Sequence, residues 1–237
     1  MNHQRILVII PAYNEEENIE KTIRELWRDF PQADILVVND CSSDATEDIV
    51  NSLNVTCISH PFNIGYSGGL QTGFKYAGQH GYEYVLQFDG DGQHIAAEAK
   101  KMFEVALEQK TDIIIGSRYL ADTGYESSFF RKQGSRLFSL MIRLICKIEL
   151  RDPTSGLQVI NRKTYGQFSK MNGYPEYPDA NLLIEMIRSG YQVLEIPTKM
   201  RPREAGVSMH SGVLHPIKYM ILMIYSIFIA LFRKNRM

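Results

Sequence analysis

The stretch ILVIIPAYNEEENI, residues 6–19, contains one complete strand-to-helix unit, and the fold follows from the repetition of this unit. Ile6 to Ile10 is a short apolar run rich in β-branched residues, which predicts a buried strand that Pro11 ends. Asn14 is suited to cap the next helix, because three glutamates follow it where the helix dipole favours acidic side chains. Apolar residues then recur at helical spacing from Ile19 to Phe30.

The same alternation continues to about residue 120. Further predicted strands cover 35–38, 55–58, 84–88 and 113–115, and the predicted helices include one capped by Ser42 or Ser43, one over 68–77 and one over 96–107. Strands that alternate with helices form parallel sheets that are covered on both faces. The sequence therefore predicts an α/β fold with a mostly parallel central sheet.

The composition excludes some classes of protein and bounds the rest. With 237 residues, 44% of them hydrophobic, the chain can bury a sizeable core. A net charge of -1 and a pI near 6.6 argue against a nucleic-acid-binding protein. The three cysteines show neither a metal pattern nor a disulfide pattern, which indicates a reducing compartment. The apolar run at the N-terminus is too short for a signal peptide.

Polar residues stand at the carboxyl end of each predicted strand, where parallel sheets bind ligands. These segments are 11–15, 39–44, 89–93 and 116–118. Asp40, Asp89 and Asp91 would repel one another at this edge unless a cation lies between them. In LQFDGDGQH, residues 86–94, the two carboxylates and the Gln93 amide form an all-oxygen set that suits Mg²⁺ or Mn²⁺. The alternative is an Asp-Gly loop that only turns the chain.

Four motifs carry a family resemblance: IIPAYNEEENI, VVNDCSSDAT, NIGYSGGLQTG and LQFDGDGQH. In this order and spacing the chain resembles the family 2 glycosyltransferases over about residues 5–210. It is most similar to the branch that contains dolichol-phosphate mannose synthase and other polyprenyl-phosphate sugar transferases. The resemblance implies a GT-A fold, with one Rossmann-like nucleotide-binding domain over 1–211, a divalent metal ion and a nucleoside-diphosphate sugar donor. It also implies direct displacement with inversion at the anomeric carbon.

The resemblance implies roles for individual residues on the donor side. The base and ribose of the donor would be held by Pro11, Ala12, Tyr13 and Glu15, and the base would also be bound by Asp40. The metal ion would be held by Asp89, Asp91 and Gln93. The loop that carries Arg203 would close over the phosphates. The loop that contains Arg203 has Met209 where many relatives have lysine, so His210 either replaces that phosphate donor or is an exposed histidine. His94 is expected to lie outside the metal set, which is complete without it.

The acceptor side allows two alternatives. Arg118 matches an arginine that faces the reacting centre, and Arg131 and Ser135 match positions that hold a lipid phosphate, an acceptor that needs no catalytic base. The apolar helix around them, with its basic residues, suits lipid headgroups, or it packs on the sheet as an ordinary amphipathic helix. A sugar hydroxyl would need a base, and Asp179 matches that position. Asp179 also stands where a helix N-cap is expected.

Two further segments complete the expectations. The segment DPTSGLQVINR, which begins at Asp152, is expected to flank the acceptor pocket, with Thr154, Ser155 and Gly156 as hydrogen-bond donors. Residues 212–237 form the C-terminal segment, in which 219–232 is apolar and basic residues follow. Fourteen helical residues span about 21 Å, less than a bilayer core of ~30 Å. This helix is therefore expected to lie at a membrane interface or to cross it as one short span, with a buried or dimer-forming helix as the alternative.

The sequence therefore predicts a membrane-associated, metal-dependent glycosyltransferase on the cytoplasmic face of a bacterial membrane. Its acceptor is expected to be a polyprenyl phosphate or a lipid-linked glycan, in polysaccharide or cell-wall assembly. No nucleic acid is expected as a partner, and association between copies of the chain stays open. Two other classes also stay open, a sugar-nucleotide nucleotidyltransferase and an inactive nucleotide-sugar-binding module. The acidic loop PAYNEEEN argues against the first, and intact Asp89, Asp91 and Gln93 argue against the second.

Overall fold

The computed structural model describes residues 5–121, 129–172, 174–202 and 214–232. Its strands are β1 (Ile6–Ala12), β2 (Asp34–Asn39), β3 (Thr56–Ser59), β4 (Tyr84–Gln87), β5 (Ile113–Ser117), β6 (Gln158–Asn161) and β7 (Val193–Pro197). Its helices are α1 (Ile19–Asp29), α2 (Thr46–Ser52), α3 (Tyr66–Gln79), α4 (Ala96–Gln109), α5 (Phe129–Cys146), α6 (Arg162–Phe168), α7 (Ala180–Arg188) and α8 (Leu214–Phe232).

The strands form one sheet in the order β3-β2-β1-β4-β6-β5-β7. Only β6 runs against its neighbours, between β4 and β5, so the predicted mostly parallel sheet is confirmed. The five predicted strands are present within about two residues of their expected ends. Pro11 does not end β1, which continues to Ala12. Because β4 pairs with β1 only as far as Ile9, the missing N–H of Pro11 leaves no ladder bond to β4 unmade.

The first two helix starts differ from the predictions. Helix α1 begins at Ile19 rather than just after Asn14, whose backbone is left-handed, with a φ of 55°. The Asn14 side chain accepts a hydrogen bond from the Ser43 N–H at 2.8 Å, and the Asn14 N–H donates to Ser42 Oγ at 3.0 Å. Asn and Ser thus tie two strand-end loops together and do not cap helices, since both residue types bond loop backbone as readily as helix ends.

The core consists of two apolar layers, one on each face of the sheet. Ile6, Val8 and Ile10 of β1 pack in the layer that also contains buried residues of α1, α2 and α4. Leu7 and Ile9 point the other way, into a layer with buried residues of α3, α5, α6, α7 and α8. The period-two alternation along β1 therefore matches a strand that is buried on both faces.

Helix α8 is part of this core on one side and exposed on the other. Met223 and Ile227 are fully buried, and the Arg188 guanidinium of α7 donates to the carbonyls of Ala230 and Leu231 at 2.9 and 3.0 Å. A cation at the last carbonyls of a helix stabilises its C-terminus. The exposed side of α8 carries Ile221, Ile224, Tyr225, Phe228 and Ile229, and α5 exposes Leu137, Leu140 and Leu144. In the part of the chain that the structure describes, no helix is long and apolar enough to cross a membrane.

Candidate active site

The loop after β2 is organised around the carboxylate of Asp40. This side chain is buried, and its oxygens accept hydrogen bonds from the N–H groups of Ile64 and Gly65 at 2.9 and 2.7 Å. His60 Nδ1 lies 2.8 Å from the same carboxylate, and its Nε2 lies 2.9 Å from Thr72 Oγ1. Asp40 therefore holds the loop that leads into α3 in place, and its predicted contact with a base stays a prediction. No sequence pattern had indicated the part played by His60.

The loop after β1 lies beside Asp40. The Asp40 N–H donates to the carbonyl of Ala12 at 2.8 Å, and Pro11 is partly buried next to Gly69 of α3. The Glu15 N–H donates to Thr46 Oγ1 at 2.9 Å. Tyr13 is 51% exposed, so its ring is accessible to a planar ligand. The structure thus brings the predicted base and ribose residues to one edge of the sheet.

The loop after β4 presents the two predicted metal-binding carboxylates. Asp89 Oδ1 accepts a hydrogen bond from the Tyr66 hydroxyl at 3.0 Å, and its side chain is 32% exposed. Asp91 Oδ1 accepts from the Gln93 N–H at 3.0 Å, and Gly92 between them has a φ of 75°. A left-handed residue at this point favours glycine, because it has no Cβ. The loop is therefore a fixed turn that carries both carboxylates.

His94 fixes Asp89 from the protein interior. The Asp89 N–H donates to His94 Nδ1 at 2.9 Å, so in the neutral ring the proton is on Nε2. Nε2 lies 3.6 Å from Asp89 Oδ2, and the ring packs edge-on against Phe88 with centroids 5.2 Å apart. His94 is buried and holds the backbone of Asp89 through this hydrogen bond, and its expected place outside the metal set stays a prediction.

Arg201 joins this loop to the segment after β7. The Arg201 N–H donates to the Gln93 carbonyl at 2.8 Å, and Gln93 Nε2 donates to the Arg201 carbonyl at 3.3 Å. The guanidinium of Arg201 binds both carboxylate oxygens of Glu25 in α1, at 2.7 and 3.0 Å. A bidentate pair of this geometry fixes the segment, which the sequence did not indicate.

The chemistry of these residues fits a divalent cation. Across residues 5–121, 129–172, 174–202 and 214–232, no three His, Cys, Asp or Glu side chains cluster closely enough to hold a metal ion. Asp89 and Asp91 do provide two hard oxygen ligands on one turn, and the Gln93 hydrogen bond uses its amide nitrogen and not its amide oxygen. Mg²⁺ and Mn²⁺ bind through one or two carboxylates, with waters and phosphates completing the set.

On the predicted acceptor side, Arg118 is held by Asp152. Its guanidinium donates to both Asp152 oxygens at 2.7 Å, and its backbone N–H donates to Oδ2 at 2.9 Å. Asp152 is fully buried, and its own N–H donates to Glu195 Oε1 at 2.6 Å. Thr154 Oγ1 accepts from the same guanidinium at 3.1 Å. The ion pair therefore fixes the predicted catalytic arginine at the end of β5.

Asp179 occupies the N-cap position of α7, but its side chain makes no capping hydrogen bond, so the N-cap interpretation of this side chain is wrong. Asn181 Oδ1 accepts from the Asp179 and Leu182 N–H groups instead. The Tyr219 hydroxyl of α8 donates to Asp179 Oδ2 at 2.7 Å. Burial raises the pKa of Asp179 to about 6, against the opposing effects of Tyr219 and Arg118. Such a pKa suits a general base near neutral pH.

The remaining predicted residues are placed as follows. Ser135 is buried and donates to the Arg151 carbonyl at 3.2 Å. Arg131 lies in α5, where the structure describes its backbone only, and Arg203, Met209 and His210 lie outside the described residues. Ser155 Oγ donates to the Gly116 carbonyl at 2.6 Å. The predicted phosphate contacts of Arg131, Ser135 and Arg203 therefore stay predictions.

The class of protein follows from comparison with known sequences and structures. The family model of glycosyl transferase family 2 matches residues 7–168, and the chain belongs to this family. Its relatives include polyprenol monophosphomannose synthase of Mycolicibacterium smegmatis, 28% identical over 218 residues, which cover 88% of this chain and 82% of that protein. Another is dolichol-phosphate mannosyltransferase of Pyrococcus furiosus, 30% identical over 221 residues, with 88% and 60% covered.

The fold is similar to that of a solved glycosyltransferase. Glucosyl-3-phosphoglycerate synthase of Mycobacterium tuberculosis, in complex with Mn²⁺, UDP and glucosyl-3-phosphoglycerate, superposes with a TM-score of 0.69. The match covers 95% of this chain and 81% of that chain at 15% sequence identity. The predicted GT-A fold and the resemblance to the polyprenyl-phosphate branch are thereby confirmed.

Proposed function

We propose that this chain is an inverting, metal-dependent glycosyltransferase that moves a sugar from a nucleoside-diphosphate sugar to a polyprenyl phosphate. The observation that carries the proposal is the turn at the end of β4, where Asp89 and Asp91 stand on one loop held by Tyr66 and His94. The names of two relatives support the acceptor class, since both describe transfer of mannose to a polyprenol or dolichol phosphate.

Asp89, Asp91 and the Gln93 amide would hold Mg²⁺ or Mn²⁺. A divalent ion at this position neutralises a diphosphate and so stabilises it as a leaving group. The chain itself fixes the ligands, because each carboxylate accepts a hydrogen bond that sets its rotamer. Mn²⁺ and UDP in the similar synthase structure support this choice of ion class.

The donor nucleotide would lie across the ends of β1 and β2. Tyr13 offers an exposed ring, and Pro11, Ala12 and Glu15 line the same edge. Asp40 would contact the base through a carboxylate that the 60–65 loop already orients. Arg203 would contact the diphosphate from the segment that follows Arg201, which is anchored to Glu25.

The acceptor would be presented by a membrane surface on the cytoplasmic side. Helices α5 and α8 expose Leu140, Leu144, Ile224 and Phe228, and exposed Lys132, Arg136 and Arg143 stand on α5. Apolar side chains with basic neighbours suit an interface that contains anionic lipids. We therefore propose that residues 212–237 dock the catalytic domain, residues 1–211, on the membrane as a peripheral protein, with Arg131 and Ser135 toward the lipid phosphate.

A second candidate function is extension or branching of a lipid-linked glycan at a sugar hydroxyl. The observation that favours it is Asp179, which is not used as a helix cap and whose pKa is raised to about 6. A hydroxyl acceptor loses a proton during transfer, whereas an ionised lipid phosphate does not. The charges of Arg118 and Asp152 also act on Asp179, since the first lowers its pKa and the second raises it.

A transfer assay separates the two candidates. Purified full-length protein is incubated with Mn²⁺ and radiolabelled UDP-, GDP- and dTDP-sugars, with undecaprenyl phosphate as one acceptor and lipid-linked glycans as the other. Label on undecaprenyl phosphate supports the first function, and label only on the glycan lipids supports the second. Absence of transfer with every donor and both acceptors would contradict both.

A further inference from the structure

The C-terminal helix α8 places a polar side chain at the candidate active site. The Tyr219 hydroxyl donates to Asp179 Oδ2 at 2.7 Å, between residues 40 positions apart. The Tyr219 ring meets Phe138 of α5 edge-on with centroids 6.0 Å apart, and it meets Tyr177 in the same way at 5.0 Å. These two ring contacts restrict the rotamer of Tyr219 and so aim its hydroxyl at the carboxylate.

The backbone around this hydrogen bond is fixed as well. Tyr219 joins the beginning of α8 to the beginning of α7, and Arg188 joins the ends of the same two helices through the carbonyls of Ala230 and Leu231. Met223 and Ile227 between these contacts are fully buried. Because α8 is tied to α7 at both ends, the position of the Tyr219 hydroxyl relative to Asp179 is set by helix packing and not by a loop.

The hydrogen bond has a defined effect on the carboxylate. A hydroxyl donor stabilises the ionised form, and here it opposes the burial that favours the protonated form. It also engages Oδ2 and leaves Oδ1 outside the bond, so one oxygen is held while the other can face an acceptor. Among the described residues, the other titratable groups that act on Asp179 or on which it acts include Arg118, Asp152, Asp89, Tyr66, Tyr174 and Tyr177.

We propose that Tyr219 is a positioning residue for Asp179, so that α8 belongs to the active site as well as to the surface that would face a membrane. The proposal rests on the second candidate function, in which Asp179 takes the proton of an acceptor hydroxyl. The inner and outer sides of α8 would therefore have different roles. Tyr219 lies on the inner side, whereas Tyr225, six residues later, is 61% exposed.

The test is a double-mutant cycle with a matched control. Tyr219→Phe removes one hydroxyl and keeps the ring contacts. Tyr82→Phe makes the same change at a hydroxyl that donates to Asp34 Oδ2 at 2.8 Å, at the amino ends of β2 and β4 and away from the candidate site. We expect Tyr219→Phe to lower kcat about tenfold with little change in KM, as for the loss of a hydrogen bond to a charged group. In an Asp179→Asn background the same change should cost less than about twofold, because contacting residues couple. Tyr82→Phe should match the wild type in kcat and KM.

A second readout keeps this proposal separate from the proposed function. The titration of Asp179 is followed by ¹³C NMR of aspartate-labelled protein without metal, with Asp179→Asn for assignment. Tyr219→Phe should raise the pKa of Asp179 and Tyr82→Phe should not, whether or not any sugar is transferred. If the wild type transfers no sugar to a hydroxyl acceptor, the second candidate function fails and this titration alone decides. An unchanged titration in Tyr219→Phe, or equal kcat losses in both backgrounds, would overturn the role of Tyr219.

Discussion

The two halves of the candidate site are held together in different ways. On the donor side, Asp91 is fixed by Gln93, two residues away, and Asp40 is fixed by Ile64 and Gly65, 24 and 25 residues away. On the acceptor side, Arg118 and Asp152 are 34 residues apart, and Tyr219 is 40 residues from Asp179. The donor side is thus built largely by successive strand-end loops, whereas the acceptor side is assembled from separate elements.

This difference sets what a substitution does on each side. A donor-side carboxylate on a partly exposed turn can be removed without leaving a buried charge behind. An acceptor-side group is paired inside the protein, so its removal leaves a partner in a low-dielectric interior. We therefore expect donor-side changes to act on the reaction and acceptor-side changes to act on stability as well.

The largest expected effect is on the reaction, for Asp91→Ala. Loss of one of two carboxylate ligands should lower kcat about a thousandfold, or ~4 kcal/mol of transition-state stabilisation. The melting temperature should stay close to that of the wild type, because the turn is partly exposed. Transfer assays and thermal unfolding measure the two quantities. Glu104→Ala, on the exposed side of α4, is the control that should change neither. Full activity of Asp91→Ala would exclude the metal assignment.

The next effect is on stability, for Arg118→Ala. Asp152 is fully buried, so removing its partner should cost about 3 to 5 kcal/mol in the free energy of unfolding. Urea unfolding gives this value. The control is Arg24→Ala, which breaks an exposed pair with Glu20 and should cost only about 0.5 kcal/mol. If both variants lose the same free energy of unfolding, the buried pair of Arg118 and Asp152 contributes no more to stability than the exposed pair of Arg24 and Glu20.

The same contrast determines how much could be predicted from the sequence. The position of Asp89 and Asp91 at a strand end was predictable because the strand and the polar residues that follow it are consecutive in the chain. Strand positions were also predictable, since short apolar runs rich in β-branched residues and bounded by turn residues are typical of buried strands. The starts of α1 and α2 were not, because Asn14 and Ser42 bond each other's loops in place of helix ends.

The sequence around the acceptor-side residues gives fewer local signals from which their contacts could be predicted. Tyr219 lies in an apolar run where a tyrosine is typical of ordinary helix packing, and nothing near it in the sequence points to Asp179. His60 and Arg201 likewise act through residues that are distant in the chain. Strands β6 and β7 were not predicted, since the regular alternation ends before them. Contacts between distant elements depend on packing, which periodicity does not encode.

A smaller effect on stability is expected for Asp179→Asn, and it depends on pH. The folded pKa of Asp179 is about 6, above the value near 3.9 of an unfolded chain. The wild type therefore loses stability as pH rises from about 4 to about 6, up to ~3 kcal/mol, because only the unfolded state ionises freely. Asparagine does not titrate. The unfolding free energy of the variant minus that of the wild type should therefore be larger at pH 8 than at pH 4. Urea unfolding of both proteins at both pH values measures this difference.

The pH dependence of the stability of Asp179→Asn also tests whether the acceptor side holds a desolvated carboxylate. A carboxylate that weakens the fold at neutral pH is retained at a cost in stability, as expected for a group with a function. If Asp179→Asn has the same relative stability at pH 4 and pH 8, the carboxylate is not held in a desolvated position. The second candidate function would then lose its main support.

The smallest effect is expected where the two halves meet, at Gly156. A Cβ at this position would lie 3.3 Å from Asp89 Oδ2 and 3.3 Å from the Tyr66 hydroxyl, so alanine should displace the donor-side carboxylate by a few tenths of an ångström. We expect kcat to fall about tenfold, or ~1.4 kcal/mol, since ligand geometry is sensitive to small shifts. Gly78→Ala, with open space around its Cβ, is the matched control and should keep full activity. If Gly156→Ala keeps the wild-type kcat, Asp89 can move without a loss of activity. The segment that contains Gly156 would then not position the donor-side carboxylate.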